Sequence, residues 1–199
     1  MSNEALENLL HEDRSFPPDP AFSAAANGQA ELYAAADADH EGFWADQARR
    51  YVSWATPFSQ VLDWSNAPFA TWFADGTLNA SYNCLDRHVA AGRGDKVAIH
   101  FVGEPGDTRT VTYADLHREV QKAANALTDL GIGKGDTVMI YLPMIPEAVV
   151  ALLACARIGA PHSVVFGGFS AEALLTRIAD AQAKVVITSD GGYRRRTPS

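Results

Sequence analysis

The stretch TVMIYLPMIPEAVVALLACARIGAPHSVVFGGFSAEALLTRIADAQAKVVIT, from Thr137 to Thr188, decides the fold. Three short runs rich in β-branched and apolar residues, at about 137–142, 162–166 and 185–188, alternate with two runs of helical period, at 146–158 and 171–181. That order predicts an α/β protein built on a βαβαβ unit, its parallel strands joined by right-handed crossovers. The helix ends carry their own signals. Pro146 suits a first helical position, where a missing N–H is no loss, and Gly159 suits a left-handed exit. Ser170 is placed to cap the second helix, with Glu172 in its first turn facing the positive end of the dipole. Helix 146–158 is apolar nearly all round (Val149, Val150, Leu152, Leu153, Ile158), so it is expected to be buried on more than one side.

Working upstream, Leu116, Val120, Ala123, Leu127 and Leu130 fall at helical spacing after Thr112, and Asp115 completes a capping box. This helix should end at Gly131. Before it, Lys96–Val102 and Thr108–Thr112 flank a Gly103-Glu-Pro-Gly-Asp107 turn and predict a β-hairpin that opens the main domain. Ser81–Val89 reads as a short helix, and the lone His88 as structural. All four tryptophans lie between Trp44 and Trp72, interleaved with Phe58, Phe69 and Phe73. A nucleic-acid stacking platform needs neighbouring cations, and no Lys or Arg follows Arg50 in this stretch, so the cluster reads as a segment docked on a larger body. Residues 29–51 fit two short helices broken near Asp39-His40, and residues 1–28, with Phe16-Pro-Pro-Asp-Pro20, read as a flexible lead-in. The expected organisation is therefore a lead-in (1–28), a helical and aromatic N-terminal extension (29–92) and a main α/β domain beginning at 93.

Composition narrows the function classes. With 199 residues, 47% hydrophobic and 20% charged, the chain can bury a real core and is not a disordered or disulfide-stapled protein. Sixteen Lys+Arg against 24 Asp+Glu give a formal charge of -8, which supplies no global field for nucleic acid or an anionic membrane. Any anion site must be local. Cys84 and Cys155 form no CxxC or Cys/His spacing, which favours reduced thiols, a cytoplasmic location and no structural zinc. The acidic Met1–Leu10 is unlike a signal peptide, and the run Ala148–Ala156 is too short to span a bilayer, which needs roughly 20 apolar residues.

In an open parallel sheet, ligands collect outside the carboxyl ends of the strands. The informative connections are then Pro143-Met-Ile-Pro146, Phe166-Gly-Gly-Phe-Ser170 and Ser189-Asp-Gly-Gly-Tyr-Arg-Arg-Arg196. Gly167 and Gly168 allow close approach of backbone N–H groups, and the helix start at Ser170 adds free donors. Arg194, Arg195 and Arg196 bring three guanidinium groups whose geometry suits phosphate. The bland alternative is a tight strand-to-helix turn and a solvated basic tail. Gly131-Ile-Gly-Lys-Gly135 is no phosphate loop, because it follows a helix and precedes a strand. No catalytic nucleophile, acid/base pair or metal-ligand set stands out.

Long consecutive stretches carry a further signal: Leu78-Asn-Ala-Ser-Tyr-Asn-Cys-Leu-Asp-Arg-His88, Tyr141-Leu-Pro-Met-Ile-Pro-Glu147, Leu153-Ala-Cys-Ala-Arg-Ile-Gly-Ala-Pro-His162 and Val164-Val-Phe-Gly-Gly-Phe-Ser-Ala-Glu172. From about Ala30 onward the chain resembles the N-terminal portion of the AMP-forming acetyl-CoA synthetases, within the adenylate-forming superfamily. The resemblance implies that the βαβαβ unit begins that family's large AMP-binding domain. It also implies a two-step ligase, in which acetate attacks ATP to give acetyl-adenylate and pyrophosphate, and the thiol of coenzyme A then displaces AMP. Mg2+ would serve the full-length enzyme. By resemblance, Arg194, with Arg195, Arg196 and Thr197, occupies the loop that contacts coenzyme A, and Phe166, Gly167 and Gly168 line the same nucleotide region. Arg196 departs from a usual glycine and Thr197 from a usual basic residue.

Nothing in these residues resembles the family's ATP phosphate loop, magnesium contacts or adenylating lysine. Pyrophosphate departure needs charge and metal arranged around the phosphates, so these 199 residues alone are expected to be inactive. Propionyl-CoA synthetase, and a non-catalytic module that binds coenzyme A or phosphate, remain alternatives at this point.

Overall fold

The computed structural model describes residues 14–194, 197 and 198, with Arg194, Thr197 and Pro198 described by backbone alone. The amphipathic start of the lead-in (1–13) and Arg195 and Arg196 thus lie outside the described residues. The chain forms two compact units, one ending at Arg50 and one beginning at Tyr51.

The first unit is helical: α1 (Pro20–Ala25), α2 (Ala30–Ala38) and α3 (His40–Tyr51). A helix at Pro20–Ala25 departs from the flexible lead-in expected there. Its cause is local, since Pro20 takes the first helical position and the Asp19 carboxylate accepts from the N–H groups of Ala21 (2.7 Å) and Phe22 (3.3 Å). The break between α2 and α3 falls at Asp39, whose carboxylate accepts from the Gly42 N–H at 3.0 Å.

In the second unit, Trp54, Phe58 and Phe73 pack ring to ring at centroid distances of 4.5–5.5 Å beside a two-stranded ribbon, β1 (Leu62–Asp63) with β2 (Thr71–Trp72). Gly76 is required there, because a Cβ would lie 2.6 Å from the Trp54 ring. The tryptophans divide, for Trp64 is 54% exposed. The predicted helix at 81–89 appears as wide π-type turns, Tyr82–Asp86 and Val89–Arg93, ending where Gly92 takes φ 76°. His88 sits edge-on to Tyr113 (5.6 Å), and burial with the nearby Arg93, Arg87 and Lys96 cations lowers its pKa, which suits a structural imidazole.

The hairpin β3 (Val97–Val102) and β4 (Thr108–Thr112) leads into α4 (Tyr113–Asp129), where Thr112 and Asp115 form the expected reciprocal capping box. Then follow β5 (Val138–Tyr141), α5 (Pro146–Ile158), β6 (His162–Val164), α6 (Ala171–Ala181) and β7 (Val185–Thr188). The three strands form a parallel sheet in the order β6-β5-β7. Val138, Met139 and Ile140 of the central strand are fully buried, as a strand covered on both faces requires. Around them the core gathers Leu85, Leu116, Val120, Leu127, Ala154 and Cys155. After β7 the chain turns back in a short antiparallel pair, β8 (Tyr193–Arg194) with β9 (Thr197–Pro198). Among the described residues no helix is long and apolar enough to cross a membrane.

The boundary between the two units lies inside the segment read as the N-terminal extension. The reason is polar anchorage. Asn79 donates from Nδ2 to the carbonyls of Ala156 (3.2 Å) and Arg157 (3.0 Å) at the end of α5. Arg157 grips Asp86 through two guanidinium nitrogens, at 2.5 and 2.8 Å, while His117 Nε2 stands 3.0 Å from the same carboxylate.

Candidate functional site

Ile140 is level with Val164 on one side and with Ile187 on the other, so all three strands finish along one rim. The three connections leaving that rim meet at Leu142–Pro143. A Cβ placed on Gly167 would lie 3.6 Å from the Leu142 carbonyl oxygen and 3.8 Å from the Pro143 nitrogen. One placed on Gly192 would lie 3.7 Å from Pro143 Cγ. The paired-glycine connection after β6 and the Gly191-Gly192 connection after β7 therefore flank the same proline.

Neither glycine is demanded by the fold itself. Gly167 and Gly192 do not adopt left-handed φ, and the distances above are ordinary van der Waals contacts. Gly159 differs, with φ 74° at the exit of α5 and a Cβ position 3.2 Å from Lys134 Cγ. Glycine at the carboxyl rim thus leaves room on the outer side, where another molecule's atoms could come close.

The Phe166–Ser170 connection is shaped by its neighbours. Tyr141, the last residue of β5, places its hydroxyl 3.3 Å from the Gly167 carbonyl and 3.1 Å from the Phe169 carbonyl, sharing one proton between them. Phe166 and Phe169 meet edge to face at 6.1 Å, and the Arg177 guanidinium lies 4.7 Å from the Phe169 ring centre. Ser170 Oγ accepts from the Ala173 N–H at 3.3 Å and caps α6 as expected. Apolar side chains remain open to solvent around this rim: Met144 (87%), Phe166 (62%) and Tyr193 (56%). The combination of free backbone donors, a helix start and exposed apolar side chains suits a ligand with an anionic end and an apolar body.

Of the residues singled out from sequence, Phe166, Gly167 and Gly168 lie on this rim in one connection. The backbone of Arg194 follows two residues after Gly192, in β8. The side chains of Arg194 and Thr197, and all of Arg195 and Arg196, fall outside what is described. Sequence reading missed Tyr141 and gave Pro143 no individual role. The signal for both was position, since a tyrosine closing a buried strand and a proline after it stand where three connections converge. Gly131–Gly135 joins α4 to β5 at the opposite rim, with Gly131 and Gly135 both at positive φ, as a helix terminus and turn. Among the described residues no three His, Cys, Asp or Glu side chains come together as a metal site.

Comparison with known proteins agrees with the mixed α/β fold. Residues 86–198, more than half of the chain, match the family described as AMP-binding enzyme, and residues 29–84 match the description acetyl-coenzyme A synthetase N-terminus. Acetyl-coenzyme A synthetase of Streptomyces avermitilis is 67% identical over 199 residues, all of this chain and 30% of the relative. The proteins of the same name from Mycobacterium bovis and Thiobacillus denitrificans are 64% and 57% identical, over 93% and 96% of this chain. The chain spans less than a third of the length of these relatives. A parallel α/β sheet with its connections gathered at one rim, and a family match covering that whole region, lead to one statement: the chain belongs to the AMP-binding enzyme family.

Proposed function

We propose that these residues form the front part of an acetate–CoA ligase that makes acetyl-adenylate from acetate and ATP and then transfers the acetyl group to coenzyme A. On this reading, residues 29–92 are its N-terminal extension and residues 93–199 the first part of its AMP-binding domain, with β5 to β7 as the βαβαβ unit. The observation that carries the proposal is the convergence of the Gly167 and Gly192 connections on Pro143, in a chain alike over its whole length to acetyl-coenzyme A synthetases. Phe166, Gly167 and Gly168 would face the phosphorylated end of coenzyme A, with Arg194, Arg195, Arg196 and Thr197 supplying charge and hydrogen bonds. A cytoplasmic location belongs to the same proposal, supported by two free cysteines, exposed Cys84 and buried Cys155. The described residues offer no cluster fit for Mg2+, and no step is assigned to that ion.

Among the described residues no catalytic acid, base or nucleophile is identified at the rim, and no chemical step is assigned to them. Calorimetric titration of the 199-residue chain with coenzyme A should show saturable binding, weakened at least about tenfold in Arg194→Ala by loss of a charge-assisted phosphate contact. Acetate, ATP and coenzyme A together should yield no AMP. Absence of binding, or equal affinity in the variant, would remove the proposal's basis.

A further inference from the structure

A trans peptide plane points its carbonyl and the following N–H in opposite directions. Fixing the carbonyls of Gly167 and Phe169 therefore fixes the N–H groups of Gly168 and Ser170. Both carbonyls are held by one atom, the Tyr141 hydroxyl, at 3.3 and 3.1 Å. The two amides so directed point away from the phenol, and neither donates to another described residue. The Phe169 N–H, between them, closes the turn on the Phe166 carbonyl at 3.0 Å. On the far side, Arg177 lies over the Phe169 ring and anchors itself to the Ala173 carbonyl at 2.9 Å. The connection is thus braced from the sheet and from α6, and its unspent donors are directed away from the phenol beside the start of that helix.

From this we infer that Tyr141 is a positioning residue: its hydroxyl holds the Gly167–Phe169 turn in the shape that presents the Gly168 and Ser170 amides to an anionic group of coenzyme A. The inference rests on the ligand reading above. Tyr141 touches no ligand atom in this account and acts only through the turn.

The test is Tyr141→Phe in the 199-residue chain, which keeps the ring and removes the hydroxyl. Two probes are titrated: coenzyme A, and pantetheine, which lacks the phosphates. Affinity for coenzyme A should fall about tenfold, the equivalent of one well-placed hydrogen bond, while affinity for pantetheine and the melting temperature stay at wild-type values. A parallel loss for both probes with a lowered melting temperature would make the residue merely structural and overturn the inference. Unchanged coenzyme A affinity in the variant would overturn it too, with the ligand reading left standing by the Arg194→Ala result. If the wild-type chain bound no coenzyme A, the ligand reading would fall first and take this inference with it.

Discussion

The two rims of the three-stranded sheet are finished in opposite ways. At the amino-terminal rim hydrogen bonds and ion pairs tie the turns to the helix ends: Gly135 donates to the Gly159 carbonyl (3.0 Å), Lys184 pairs with Asp136 (2.5 Å), and Asn79 and Asp86 clamp the end of α5. At the carboxyl rim the Tyr141 hydroxyl, with the Arg177 guanidinium over Phe169, shapes the longest connection, and Met144 and Phe166 stand open. One end holds the fold together. The other keeps donors and apolar surface in reserve, which is how a rigid scaffold presents a site on its loops. Substitutions at the first rim should therefore cost stability, and those at the second should cost binding.

The largest stability loss is expected from Arg157→Ala. It leaves Asp86, about one-fifth exposed, without its bidentate partner and also removes a contact to the buried Ser81. About 2 kcal/mol should be lost, lowering the melting temperature by roughly 4–8 °C. Wild-type melting in this variant would break the contrast at its strongest point.

Next comes the pH dependence of the same clamp. Hydrogen bonding from Arg157, opposed by burial and helped by His117, holds the Asp86 carboxyl down to about 2 from an ordinary 3.8. A carboxylate with a depressed folded pKa binds fewer protons than it does unfolded, so its contribution is complete above about pH 4 and is lost as pH falls through 2. With solvent screening allowed for, that contribution is about 1–2 kcal/mol. Stabilities of the wild type and Asp86→Asn should differ by a constant amount above pH 4, and the gap should close as pH falls from 4 to 2. Curves separated by a constant amount across that window would contradict the assignment.

A pair of glycines sharpens the comparison. Gly159→Ala forces a left-handed residue to carry a Cβ against Lys134 and should cost about 1 kcal/mol. Gly167→Ala meets only ordinary contacts, so its stability should change by less than about 0.5 kcal/mol. Its coenzyme A affinity should nonetheless fall. If both alanine variants lost stability equally, the carboxyl-rim glycine would be serving the fold.

Much of this was legible in the sequence because local signals agreed with the tertiary outcome. Thr112 with Asp115, Pro146, Gly159 and Ser170 mark helix ends through chemistry that acts within a few residues, and each does so in the structure. The alternation of strands and helices from Val138 to Thr188 was readable for the same reason. The helix at Pro20–Ala25 was hidden by two prolines and an alanine-glycine run that resemble a linker, although Asp19-Pro20 is a good helix start. The π-type turns at 82–93 have no period that a helical reading would separate from an ordinary helix. The clamp of Asp86 on Arg157 joins residues 71 apart in sequence, and no local pattern announces such a contact. At the site, the glycine connections could be placed on one rim from strand direction alone. Their meeting at Pro143, and the part played by Tyr141, depend on side-chain positions that only the folded chain supplies.

Hydrogen exchange of the 199-residue chain with and without coenzyme A tests the central contrast most directly. Slowed exchange should appear together at 166–170 and 189–194, leaving the 131–136 turn of the opposite rim unchanged. Protection centred on that opposite turn, or at only one of the two glycine connections, would contradict the account.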